Sequence, residues 1–212
     1  RLEVLFTVET AVNGQEALDV LRSNHIDLVI SDIMMPKVDG LELCKRIKSN
    51  IQVSHIPVIL LTARSTDESK LFGYESGADE YISKPFNLDI LLLRIQKLIN
   101  EEKARQRSFS QGININPGEV TITSIDEQFI EKVCALIQKN IDNPEYSVEK
   151  LSADVGMERT VLYRKLNAIA GQTPSDFIRS IRLKHAAQLL NKGYQVGEVA
   201  DMVGFNTPKY FT

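Results

Sequence analysis

Three short apolar runs alternate with segments of helical spacing in the first half of the chain. The apolar runs are Leu28–Ile30, Val58–Leu61 and Tyr81–Ile82. The segments with helical spacing are Gly14–Asn24, Leu41–Ser49, Thr66–Ser76 and Asn87–Asn100. Short buried strands that alternate with amphipathic helices predict a parallel sheet with helices packed on both of its faces.

Each of the three apolar runs leads to a polar residue at its end. These residues are Asp32, Thr62 and Lys84. Ligand sites in open α/β sheets gather at the carboxyl ends of the strands, so the three side chains are expected to share one crevice. A carboxylate can act as nucleophile and metal ligand, while a hydroxyl and an ammonium hold phosphoryl oxygens. Any one of the three could instead be a helix cap or a surface charge, but all three in register favour a site for phosphoryl transfer.

Four motifs in this half occur in a familiar order. They are Asn13–Leu18, Ser31–Pro36 with Asp39 and Gly40 after it, Pro57–Ala63, and Gly77–Phe86. Together they resemble the receiver domains of bacterial response regulators over residues 7 to 100. The resemblance implies an α/β flavodoxin-like fold and a cis peptide between Lys84 and Pro85.

The resemblance also implies a role for each polar residue at the strand ends. Asp32 would accept a phosphoryl group from a histidine kinase, and Mg²⁺ would be bound by that carboxylate and the backbone of Met34. Lys84 and Thr62 would hold the phosphoryl oxygens. Tyr81 would move inward to follow Thr62, reshaping the neighbouring helical face.

The start of the chain departs from the receiver pattern. Receivers begin with a strand that ends in two adjacent acidic residues, which complete the Mg²⁺ site. The first six residues of this chain contain a single acidic residue, Glu3. We therefore expect an N-terminally incomplete receiver domain over residues 1–100 that lacks its first strand, with an incomplete Mg²⁺ site.

The periodicity weakens between Glu101 and Ser124, and this predicts a linker over residues 101–124. The remaining chain has helical spacing throughout, with Asp126 as the expected start signal. The predicted helices are Phe129–Ile141, Ser147–Val155, Arg159–Ala170, Thr173–Leu190 and Val196–Val203. The segments Leu151–Met157 and Val199–Phe205 resemble each other, and each places Gly after a short helix. Two such copies indicate paired helix-turn-helix units.

The net charge of −3 is unevenly distributed along the chain. Seven basic residues lie between Gly156 and Lys192, against the two acids Glu158 and Asp176. The seven are Arg159, Arg164, Lys165, Arg179, Arg182, Lys184 and Lys192. A solvated helix face and a footprint for nucleic-acid phosphates explain this surplus equally well.

The helix from Arg159 has an apolar and a polar side. We expect Val161, Leu162, Leu166 and Ile169 to face inward. We expect Thr160, Tyr163, Arg164 and Lys165 to face outward. A helix of this kind fits the major groove of DNA, although an ordinary surface helix has the same pattern.

The second half resembles AraC-type DNA-binding domains over about residues 126 to 212. The matching segments are Ser147–Met157, Leu162–Leu166, Gly171–Arg179, Arg182–Leu190 and Val196–Phe205. The resemblance implies an all-α double helix-turn-helix domain, over residues 125–212, that binds double-stranded DNA, with Arg159, Thr160, Tyr163 and Arg164 at the first groove. Lys209, after Thr207 and Pro208, would contact DNA from a second reading helix that is C-terminally truncated. Glu158 departs from the small capping residue usual in the family.

The whole pattern is similar to the C-terminal part of hybrid two-component systems. It predicts a non-enzymatic, cytoplasmic transcription regulator that forms a homodimer and has no small-molecule substrate. The similarity implies a histidine kinase domain as phosphate donor, which such systems can carry in the same, membrane-anchored parent polypeptide. One alternative is a degenerate receiver that serves only for dimerisation of a constitutive DNA-binding protein. A phosphatase with an aspartyl nucleophile is disfavoured, because such enzymes need a second Asp where this chain has Met34.

Overall fold

The computed structural model of the chain describes residues 2–63, 77–111 and 123–205. The chain divides into two compact units, Arg1–Glu101 and Glu102–Thr212, which we call the N-terminal and the C-terminal unit. The helix predicted over Thr66–Ser76 and the second reading helix with Lys209 lie outside the described residues.

The N-terminal unit contains a parallel sheet of three strands in the order β1-β2-β3. The strands are β1 (Val29–Asp32), β2 (Val58–Thr62) and β3 (Glu80–Ser83). Asp32 pairs in register with Leu61, and Thr62 pairs with Ser83. The parallel sheet predicted from the three apolar runs is therefore confirmed, with Asp32 as the last residue of its strand.

The helices of this unit begin at short polar caps. They are α1 (Gly14–Ser23), α2 (Gly40–Ser49) and α3 (Leu88–Gln111), of which the part after Glu101 belongs to the C-terminal unit; a 3-10 turn covers Leu2–Val4. The side chain of Asn13 accepts a hydrogen bond from the backbone N–H of Glu16, and Asp39 accepts one from Glu42. Each cap satisfies a donor that the first helical turn leaves without a partner.

The sheet is covered on both faces, as the alternation of strands and helices predicts. Val58 and Leu60 pack into a cluster with residues of α1 and α2, including Leu21 and Leu43. Ile59 points to the opposite face and joins a cluster with residues of α3. Successive side chains of a strand point to opposite faces, so β2 is buried on both sides.

Helix α3 continues further than the apolar periodicity predicts. Residues Glu101 to Gln111 are helical, although this segment was expected to form the start of a linker. The segment from Glu101 to Arg107 contains mostly Glu, Lys, Ala, Arg and Gln. These residues favour helix by their intrinsic propensity and need no apolar stripe.

The C-terminal unit is helical throughout its described part. Its helices after the end of α3 are α4 (Ser124–Lys139), α5 (Val148–Val155), α6 (Arg159–Ala170), α7 (Pro174–Asn191) and α8 (Val196–Met202). The predicted helices are confirmed, but α4 begins at Thr123 as N-cap, and Asp126 lies inside its first turn. Across the three described ranges, no helix is both long enough and apolar enough to span a bilayer.

The two similar segments both end their helices at a left-handed glycine. Gly156 has φ of 80° after α5, and Gly204 has φ of 69° after α8. Residues with a Cβ rarely adopt this conformation, which explains glycine at both positions. The predicted internal repeat is therefore present in the backbone.

Lys165 is buried, whereas the sequence pattern was interpreted to place it on the outer face of α6. Its side chain and that of Asp126 are both 0% exposed, and the two form an ion pair. Lys165 also lies 5.5 Å from the ring centroid of Phe129. The prediction was wrong because Lys165 lies three residues after Leu162 and four before Ile169, on the apolar side of the helix.

The buried pair leads to a prediction about stability. Lys165→Met should destabilise the C-terminal unit by about 3–5 kcal/mol, because it leaves the Asp126 carboxylate buried without its cation. Lys165→Met combined with Asp126→Leu should recover most of that loss, because the double variant removes both charges. Urea unfolding followed by circular dichroism measures the difference, and equal destabilisation in the single and the double variant would contradict it.

Candidate functional site

The predicted strand-end residues Asp32 and Lys84 are in direct contact. Asp32 ends β1, and Lys84 follows β3 directly. The Lys84 Nζ donates to Asp32 Oδ2 at 2.5 Å. The two side chains are 39% and 36% exposed, so a second reactant can reach them from solvent.

The other oxygen of the Asp32 carboxylate is held by the following loop. The backbone N–H of Met34 donates to Asp32 Oδ1 at 3.2 Å. The hydrogen bond from Lys84 is the largest cause that lowers the pKa of Asp32; desolvation opposes it, and the Met34 N–H adds to the lowering. Asp32 is therefore ionised at neutral pH and has the charge of a nucleophile or a cation ligand.

Thr62 and Tyr81 occupy the same sheet but have different surroundings. Thr62 ends β2 and is 4% exposed, and its carbonyl accepts a hydrogen bond from the Lys84 N–H at 2.7 Å. Tyr81 is half-buried and packs against the cluster that contains Leu60. This backbone hydrogen bond between Thr62 and Lys84 fixes the position of Lys84 along the strand direction, at the carboxyl edge of the sheet.

The loop after Asp32 comes unusually close to the strand. A Cβ at Gly40 would lie 2.2 Å from the Asp32 carbonyl oxygen, so only glycine fits there. Lys37, within the loop, has φ of 65° although it is not a glycine. The sequence motif contains Gly40, but its spacing gives no sign of this close approach. The peptide between Lys84 and Pro85 is cis, as the resemblance implies.

A cavity of about 280 Å³ opens beside β1. Its lining includes Glu9, Asn13, Ile30 and Asp32. Within the described ranges, no three His, Cys, Asp or Glu side chains are grouped in a way that could hold a metal ion. Asp32 supplies one carboxylate of the kind that Mg²⁺ uses together with water and phosphate oxygens.

The outer face of α6 presents the residues that were predicted to read DNA. Arg159, Thr160, Tyr163 and Arg164 are all exposed. Arg159 forms an ion pair with Glu149 of α5 at 2.9 Å. Four adjacent polar side chains on one exposed helix face form a surface that a major groove could accept.

Two of the seven basic residues that were counted in the charged stretch are buried. Lys165 pairs with Asp126, and Arg182 is 7% exposed. The sequence count therefore overstates the positive charge available at the surface. Helical spacing could have indicated Lys165, but the partners of Arg182 are backbone carbonyls, which have no sequence signature.

The two units define a class of protein. The first carries an exposed carboxylate–lysine pair at the carboxyl edge of a parallel sheet, and the second presents an exposed basic helix within a repeated helical arrangement. This combination is that of a regulator with a signal-accepting domain and a DNA-binding domain.

Sequence comparisons identify both domains. The profile of the response regulator receiver domain matches residues 2–96, and that of a helix-turn-helix domain matches residues 151–212. The chain therefore belongs to the response regulators, with a receiver domain followed by an AraC-type helix-turn-helix domain.

Individual relatives are similar to this chain over different shares of their own length. Histidine kinase P4 of Formosa agariphila is 43% identical over 208 residues, which cover 98% of this chain and 15% of that kinase. Response regulator ArlR of Staphylococcus aureus is 31% identical over 68% of this chain and 66% of its own length. A receiver domain of a histidine kinase from Syntrophus aciditrophicus is 36% identical over 47% of this chain and 75% of that structure, with a TM-score of 0.44.

The contact between Asp32 and Lys84 leads to a prediction about pH. Lys84→Met should raise the pKa of Asp32 toward the ordinary value of an aspartate, because the main stabilising donor is lost. A lowered carboxyl pKa contributes stability above the unfolded-state pKa, and this contribution disappears as the pH falls through the folded-state pKa. Carboxyl ¹³C titration by NMR measures the shift. Lys45→Met, at an exposed lysine of α2, should leave the pKa of Asp32 unchanged, and an unchanged pKa in Lys84→Met would contradict the assignment.

Proposed function

We propose that this chain is a DNA-binding transcription regulator controlled by phosphorylation, with Asp32 as phosphoacceptor. The observation that supports this most is the ionised Asp32 carboxylate, exposed at the sheet edge and contacted by Lys84 and the Met34 N–H. The nearby cation and amide donor suit an acidic phosphoryl group better than an apolar ligand.

The reaction is a phosphoryl transfer from a phosphohistidine of a histidine kinase. An Asp32 carboxylate oxygen attacks phosphorus, a P–O bond forms as the P–N bond breaks, and the kinase imidazole leaves. The result is an acyl phosphate on Asp32. The Lys84 ammonium then pairs with the phosphoryl oxygens, and the Thr62 hydroxyl donates to one of them while Tyr81 follows inward.

Mg²⁺ is proposed as the cofactor of this step. Asp32 and the backbone carbonyl of Met34 are the residues of this chain that would bind it. A bound Mg²⁺ ion neutralises negative charge on a transferring phosphoryl group. Lys84 contributes a second positive charge from the protein itself.

The C-terminal domain is proposed to read double-stranded DNA as a homodimer. Arg159, Thr160, Tyr163 and Arg164 of α6 would contact one major groove, with Lys209 at the next. Paired half-sites suit a symmetric dimer.

The kinase partner is proposed to be a domain of the same polypeptide, because most of this chain aligns to part of a histidine kinase. The domains are proposed to act in the cytoplasm as part of a membrane-anchored parent protein, and no small-molecule substrate is proposed for them.

A second candidate function is a receiver that serves only for dimerisation. It is favoured by the lack of a complete three-ligand metal group among the described residues. It differs from the first candidate in one property, since it predicts no covalent modification of Asp32.

The phosphoacceptor is tested by incubating the protein with acetyl phosphate and Mg²⁺ and measuring its intact mass. We expect the mass of one added phosphoryl group in the wild type. Asp32→Asn should abolish it, because the amide lacks the nucleophilic carboxylate. Asp27→Asn removes an exposed aspartate just before the start of β1 and should keep the modification.

Peptide mapping of the modified protein completes this test. Modification at Asp32 supports the phosphorylation switch. An unmodified wild type in the full-length polypeptide, or modification that survives Asp32→Asn, would overturn it and leave the dimerisation module.

The DNA-reading face is tested with Arg164→Ala. Loss of this side chain should weaken binding by about 1–3 kcal/mol and relax specificity if Arg164 contacts a base. The probe is a duplex that the wild-type protein selects from a random-sequence library, and fluorescence anisotropy gives the affinity. Lys139→Ala removes the same charge at the end of α4 and should have little effect. Equal losses of DNA affinity in both variants would indicate that binding depends on net charge and not on a specific contact from Arg164.

A further inference from the structure

The basic residue Arg182 is buried in the middle of α7. Its Nη1 donates to the Gly204 carbonyl at 3.0 Å, and its Nη2 donates to the Asn143 carbonyl at 2.6 Å. Asn143 lies in the loop between α4 and α5, whereas Gly204 lies in the turn after α8. One guanidinium therefore joins three segments that are far apart in the chain.

The turn at Gly204 is closely fitted against the same loop. A Cβ on Gly204 would lie 2.8 Å from the Ile141 carbonyl oxygen and 3.3 Å from the Arg182 Cζ. Ile141 is partly buried and packs against both apolar clusters of this unit. The Ile141–Asn143 loop, Arg182 and Gly204 thus form a junction that joins the loop between α4 and α5, helix α7 and the turn after α8.

The guanidinium is directed into the protein and not toward a nucleic acid. Both of its Nη groups donate to backbone carbonyls, and burial lowers the pKa of Arg182. Hydrogen bonds from a charged donor to carbonyls are stronger than neutral ones, and a planar guanidinium holds two acceptors at a fixed angle. A lysine ammonium carries all its donors on one nitrogen, so it lacks the two separate nitrogens with which Arg182 reaches the two carbonyls.

We propose that Arg182 is a positioning residue that fixes α8 and the Gly204 turn onto the Ile141–Asn143 loop, so that both helix-turn-helix units are presented to DNA in one arrangement. The claim that Arg182 holds these segments together rests only on the contacts of Arg182. Its consequence for binding rests on the proposed DNA-binding function. A regulator that reads two successive grooves needs a fixed distance between its reading helices, because the grooves repeat once per helical turn.

The structural part is tested by amide hydrogen exchange on the whole chain. Arg182→Met should speed exchange at least tenfold in α8 and in the Ile141–Asn143 loop, while α5 and α6 keep their wild-type rates. Arg182→Lys should give an intermediate result. Arg179→Met changes an exposed arginine one turn earlier on α7 and should leave all these rates unchanged.

A second variant addresses the same junction without changing Arg182. Gly204→Ala should give the same local pattern of faster exchange, because its Cβ meets the Ile141 carbonyl. Unchanged exchange in both variants would overturn the proposal. A uniform increase over all described helices of the C-terminal unit in both variants would also overturn it, since that result indicates a general loss of stability.

Binding to the library-selected duplex tests the functional consequence. We expect Arg182→Met to lose at least tenfold in affinity, with Arg179→Met closer to the wild type. Loss of affinity with unchanged exchange would show that Arg182 contacts DNA directly, and so would overturn the positioning role. If the wild type binds no duplex, the proposed DNA-binding function fails, while hydrogen exchange still decides whether Arg182 holds the junction.

Discussion

The parallel register of β1, β2 and β3 brings three strand ends to one edge of the sheet, and the chemistry of the N-terminal unit depends on it. Asp32 and Lys84 are 52 residues apart in the chain, yet they touch because their strands flank β2 on its two sides and end at the same edge of the sheet. A shift of one residue in either pairing would turn the side chains of that strand to the opposite face. The backbone bond from Lys84 to Thr62 opposes such a shift. Packing of β2 on both faces therefore supports the ion pair as well as the fold.

The C-terminal unit depends on charges that are hidden from solvent. Asp126 and Lys165 join α4 to α6 in the apolar core, and Arg182 joins α7 to two backbone carbonyls. A buried ion pair contributes little net stability, but removal of one partner is costly, so such pairs favour one arrangement over its alternatives. Lys165 and Arg164 are neighbours on α6 with opposite roles, because one side chain enters the core and the other enters solvent. The charge pattern of α6 thus combines an exposed polar face with an internal anchor.

Some of this architecture could be predicted from the sequence and some could not. The strand ends at Asp32, Thr62 and Lys84 follow from short apolar runs, since burial on both faces of a parallel sheet leaves a strong local pattern. The continuation of α3 to Gln111 was missed because the residues after Asn100 lack an apolar stripe. They form helix through the intrinsic helix propensity of their side chains. Arg182 was counted as surface charge, and nothing local distinguishes it, because its acceptors are the carbonyls of residues 39 and 22 positions away. Long-range bonds to the backbone leave no trace in side-chain patterns.

The proposed switch starts from the addition of one phosphoryl group to Asp32, and the side chains around Asp32 determine how the sheet edge responds. Before phosphorylation, one ammonium and one amide already donate to the carboxylate. An acyl phosphate carries its charge on three terminal oxygens that lie farther from the strand, so Lys84 has to move outward to follow them. Lys84 is also tied through its backbone to Thr62, the end of the central strand. A displacement of the Lys84 side chain alone would leave the sheet unchanged, whereas a displacement that includes the Thr62 hydroxyl would open space next to Tyr81 on β3. Under this proposal the half-buried Tyr81 ring follows the hydroxyl, and this is how a local electrostatic event would become a change in shape.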